Sequence, residues 1–105
     1  MIKIAMGPYK LYAKGHAGFD ESGKDVICAA VSALVQALAL GLEREERRGG
    51  LSRVEIKLES GEALLSVVPS PNCEREVRLL FDVFAEALLR IAEEYPEYVE
   101  VQSCG

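Results

Sequence analysis

The chain is 105 residues long, 50% hydrophobic, and carries 12 Lys and Arg against 17 Asp and Glu, a formal charge of −5. That length fits one domain with a core of its own. The acidic balance speaks against direct binding to nucleic-acid phosphates and suits a basic protein client.

The first residues read as a hairpin. Ile2, Ile4 and Met6 alternate with Lys3 and Ala5, Gly7-Pro8 supplies a turn, and Tyr9–Gly15 forms the return strand. The run Val26–Leu42 breaks its apolar character only at Ser32, Gln36 and Gly41, the pattern of a helix buried on most sides. It closes in EREERRGG, where Arg47 and Arg48 suit the negative helix end and Gly49 can take the left-handed cap. Val54, Ile56 and Leu58 then alternate with Arg53, Glu55 and Lys57, and Ser60-Gly61 turns the chain into Ala63–Val68, a second hairpin. Pro69 and Pro71 stop that strand. A second amphipathic helix follows, with Val77, Leu80, Phe81, Phe84, Leu88 and Ile91 on its inner face; Pro96 ends it, and Tyr98–Gln102 forms a last strand.

The order is ββαββαβ. It predicts an α+β fold, a single domain over residues 1–105, with a mainly antiparallel sheet packed with two helices. The first helix is apolar on too many sides for one sheet face to cover. Either the second helix or a second subunit covers the rest, and a homodimer is expected.

MIKIAMGPYK has no continuous apolar stretch or cleavage site of a secretory signal. The Val26–Leu42 run falls short of a bilayer span and contains Ser and Gln, so no membrane partner is expected and the location is read as cytoplasmic. Three cysteines without framework spacing fit a reducing compartment. One histidine and no CxxC argue against a metal site, and no cofactor is implied.

The chemistry concentrates in GHAGFDESGKDVICAAVSAL, Gly15 to Leu34, which sets the only histidine, His16, twelve residues before Cys28. Both start signals for the helix, a Ser22–Asp25 capping box or Asp25 as N-cap, are read as placing Cys28 in its first turn, where free N–H groups and the helix dipole favour a nucleophilic thiolate. His16 at a strand end is the candidate base, which would take the thiol proton and pass it to the leaving amine. Asp25 either orients His16 or caps the helix. Cys28, Ser32 and Gln36, spaced i, i+4, i+8, form one polar stripe. It is read either as the floor of a substrate cleft or as Ser and Gln bonding to backbone or a partner subunit. Gly15, Gly18 and Gly23 bracket a loop expected to move and to order over bound peptide. Phe19 within it either contacts substrate or packs in the core. Cys73 also stands at a helix start but has no histidine near it in sequence, and Cys104 lies in the tail. Two other function classes stay open on the residues alone: a non-catalytic dimeric scaffold, which the resemblance below would make ribosome-associated, and a thiol redox sensor using Cys28 without His16.

The same string closely resembles the signature of the Prp, or YsxB-like, family of ribosomal-processing cysteine proteases. Gly15, His16, Ala17, Gly23, Asp25, Ile27, Cys28, Ala29, Ala30, Val31 and Ser32 match its pattern, and EYPEYVEV from Glu94 to Val101 resembles its ending. The resemblance spans essentially the whole chain. It implies a Cys/His endopeptidase with Cys28 as nucleophile, His16 as base and Asp25 as the third motif residue, and it also suggests a homodimer. The implied substrate is the precursor of large ribosomal subunit protein twenty-seven, cut after paired phenylalanines in its N-terminal extension, so that the mature end can reach the peptidyl-transferase region.

Overall fold

The computed structural model describes the backbone of residues 1–15 and 22–103 and the side chains of 1–15 and 26–103. Its elements run β1 (Ile2–Gly7), β2 (Lys10–Lys14), α1 (Ser22–Arg47), β3 (Leu51–Glu59), β4 (Glu62–Pro69), α2 (Glu74–Glu94) and β5 (Val99–Ser103). This is the ββαββαβ order the sequence predicts. The five strands form one sheet in the order β3-β4-β2-β1-β5. Three of its ladders are antiparallel, and β1 with β5 is parallel because α2 carries the chain back across the sheet.

Strand alternation decides which face is covered. Ile2, Ile4 and Met6 of β1, Leu11 and Ala13 of β2, and Leu65 and Val67 of β4 are buried beneath the helices. Lys3, Tyr12, Lys14 and Glu62 take the opposite phase and face away from that core. Onto the inner face α1 lays Ile27, Val31, Val35, Leu38, Ala39 and Leu42, while α2 lays Val77, Phe81 and Leu88. Each large side chain so buried contributes roughly 1.5–3 kcal/mol of transfer free energy. Leu80, Phe84 and Ile91, expected on the inner face of α2, pack half-buried against this core.

Two expectations about α1 need correction. The helix begins at Ser22, so Cys28 falls in its second turn, not the first, and Asp25 stands inside the first turn, which removes the reading of Asp25 as N-cap. Any advantage Cys28 draws from free N–H groups is correspondingly small, because those effects fade within one turn. The stretch Val26–Arg47 is long and apolar enough to cross a membrane by length and composition, longer than the run read from sequence. Its inner face belongs to the core of the domain, while only 33% of its most apolar window is buried.

α2 covers only one flank of α1, where Leu80 packs over Gly41. The outer face of α1 stays open. Val26 is 68% exposed and Leu40 66%, with Ala29, Ala30, Ala33 and Ala37 exposed between them.

Candidate active site

Residues one helical turn apart share a side of the helix, so the stripe Cys28, Ser32, Gln36 rises along one flank of α1. That flank turns toward the β3–β4 hairpin. Between them lies a cleft of about 240 Å³, and all three stripe residues line it. Val31 and Val35 of α1 and Ile2 of β1 give the cleft its apolar lining, and the hairpin from Leu58 to Ala63 forms the facing wall. Cys28 is half-buried, packed against the core, and has no disulfide partner. The Gln36 side-chain amide donates to the Ser32 hydroxyl oxygen at 2.9 Å, so the two form a connected pair. Ser32 and Gln36 are exposed, and both border the cleft.

Gly15, the residue before His16, also lines this cleft. It follows β2 with a φ of 107°, and its N–H donates to the Gly61 carbonyl at 2.9 Å. His16, Gly18 and Phe19 lie outside the described residues, as does Cys104. Gly23 and Asp25 have described backbone in α1, but the Asp25 side chain is outside the description.

The second cysteine stands elsewhere. Cys73 is the residue before α2, makes no side-chain cap bond, and borders no part of the cleft. At the hairpin wall, Glu62 lines the cleft and accepts a hydrogen bond from the Tyr12 hydroxyl, which faces away from the covered core. That hydrogen bond, ahead of desolvation and the carboxylate's charge, holds the Tyr12 phenol above its ordinary pKa.

Sequence reasoning missed the hairpin wall and Ile2. Leu58 to Ala63 are thirty or more residues from Cys28 in the chain, and they reach it only because β4 pairs with β2. No local pattern in the hairpin signals a binding surface.

Comparison with known proteins finds relatives over almost the whole chain. The family described as Cysteine protease Prp matches residues 1–100. The ribosomal processing cysteine protease Prp of Mycoplasma genitalium is 36% identical over 101 residues, covering 96% of this chain and 94% of that one. Among solved structures, the Streptococcus mutans protein SMU.848 superposes with a TM-score of 0.72 at 25% identity, covering 98% of this chain and 93% of its own. An essential ribosomal processing protease Prp from S. aureus, in complex with a covalently linked product peptide, reaches a TM-score of 0.76 at 24% identity, with 99% of this chain and all of that one covered.

Proposed function

This chain belongs to the cysteine protease Prp family, and from that membership we propose that Cys28 is its nucleophile, His16 its general base, and the extended precursor of large ribosomal subunit protein twenty-seven its substrate. The chain is a ribosomal-processing cysteine protease, which sets aside the non-catalytic scaffold and the redox sensor. What carries the assignment of the nucleophile is a single observation: of the two described cysteines, Cys28 alone opens onto the cleft that also meets the strand end leading into His16.

In this reading the peptide lies between the stripe of α1 and the β3–β4 hairpin. His16 takes the thiol proton, the Cys28 sulfur attacks the scissile carbonyl, and the imidazolium protonates the departing amine. Water then attacks the thioester, with His16 again as base, and frees the enzyme. Asp25, the third residue of the family motif, either orients His16 in this reading or serves the start of α1. The apolar cleft lining suits hydrophobic residues of the extension. The formal charge of −5 favours encounter with a basic ribosomal protein. A cytoplasmic site of action belongs to the same proposal. The test is incubation with the extended precursor and mass spectrometry of its new N-terminus, for the wild type, Cys28→Ala and His16→Ala.

A homodimer also belongs to the proposal. The outer face of α1 from Val26 to Leu40 carries no charged residue, and Leu79 and Val83 of α2 are 63% and 51% exposed. Apolar surface of this extent on a helix is the kind that associates. Replacing Leu40 by Glu is expected to convert a dimer into a monomer in size-exclusion chromatography with light scattering. A wild type already monomeric at micromolar concentration overturns the dimer.

A further inference from the structure

One wall of the cleft is built by residues outside the motif around His16 and Cys28. The turn Ser60-Gly61 joins β3 to β4 where Glu59 pairs with Glu62, and Gly61 takes a φ of 78°. This is the left-handed region, which glycine and, less readily, asparagine adopt and a β-branched residue avoids. The β2–β4 ladder pairs Ala13 with Ala63 and Lys14 with Glu62. The 2.9 Å bond from the Gly15 N–H to the Gly61 carbonyl adds the next rung. On its other side Gly15 is closed in by the N-terminus: a Cβ placed there would lie 2.3 Å from the Met1 carbonyl oxygen. The residue that precedes His16 is therefore held between two backbone segments, one of which is the hairpin turn bordering the cleft.

We infer that the β3–β4 turn, through Gly61, positions the strand end that delivers the general base, so that Gly61 is a positioning residue of the protease. The inference rests on the proposed role of His16. Gly61 acts through Gly15, by the direction in which its carbonyl points, and that direction depends on the left-handed turn. A misplacement of about 1 Å at a catalytic group can cost on the order of a hundredfold in rate.

The test compares Gly61→Val, Gly61→Asn and Gly49→Val. Gly49 also has a positive φ, 81°, but open space around its Cβ position and no place in the cleft, so Gly49→Val measures left-handed strain alone. Three quantities are read: kcat and KM on an extended precursor peptide, melting temperature, and the pH dependence of Cys28 alkylation by iodoacetamide, followed by peptide mass spectrometry. Gly61→Val is expected to lose about tenfold or more in kcat, over and above any change in KM from the altered cleft wall. Its alkylation profile should move to higher pH, because a displaced imidazolium no longer favours the thiolate. Gly61→Asn should recover both properties, and Gly49→Val should lose thermal stability while keeping both. Wild-type kcat and alkylation profile in folded Gly61→Val overturn the inference. Should Gly61→Val not fold, a chain ligated at Cys28 with an ester replacing the Lys14–Gly15 amide removes only the N–H donor. It should show the same two changes, and wild-type behaviour there is equally fatal. A wild type that cuts no precursor overturns the proposed substrate instead, and the alkylation profiles still decide the role of Gly61.

Discussion

Cys28→Ala is expected to leave the extended ribosomal precursor uncut while the protein melts close to the wild-type temperature. Removing the nucleophile of a thiol protease removes the covalent path altogether, a loss on the order of 10⁴-fold or more. The side chain lost is one sulfur at a half-buried position beside an open cleft, so the cost in stability should stay within about 1 kcal/mol. His16→Ala removes general-base catalysis but leaves the thiol, and a smaller loss of about 10²- to 10⁴-fold follows. Cys73→Ala is the informative control. That residue also stands at a helix start and is a free thiol, yet it lies outside the cleft, so its replacement should leave cleavage intact. Mass spectrometry of the product N-terminus reads all three variants. Cleavage surviving in Cys28→Ala would exclude it as the nucleophile, and cleavage lost in Cys73→Ala would mean that the cleft is not the site.

Local periodicity makes the elements legible. The alternation Ile2, Ile4, Met6 by itself fixes the inward face of β1, and the spacing of Val77, Phe81 and Leu88 does the same for α2. The polar stripe is legible for the same reason: Cys28, Ser32 and Gln36 lie one helical turn apart, so their common flank follows from helix geometry. The partner of that flank is not. Which strand neighbours which depends on long-range pairing, and the adjacency of β2 and β4 brings Gly61 to Gly15 with no trace in either segment. The start of α1 escapes for a different reason. Ser22 and Asp25 both favour helix starts, but Ser22 already lies inside the helix, which sets Cys28 in the second turn. The excess of apolar residues on α1 does signal that one sheet face cannot cover it, as the exposure of Val26 and Leu40 shows.

Phe81→Ala should produce the opposite pattern to Cys28→Ala, a large loss of stability with the chemistry untouched. Phe81 is 1% exposed, at the centre of the inner face of α2, and its ring meets the Tyr9 ring edge-on with centroids 6.4 Å apart. The contact ties α2 to the turn between β1 and β2, so truncation opens a cavity and removes an aromatic pair together. A buried Phe→Ala change costs about 3–5 kcal/mol. In a domain of this size each kcal/mol shifts the midpoint by roughly 4 °C or more, so a fall of about 15 °C is expected by calorimetry or circular dichroism. No residue of α2 lines the cleft beside Cys28. Well below the lowered midpoint the variant should therefore cut its peptide with wild-type kcat. A folded Phe81→Ala protein that fails to cut would extend the active site to α2, which the cleft geometry does not allow.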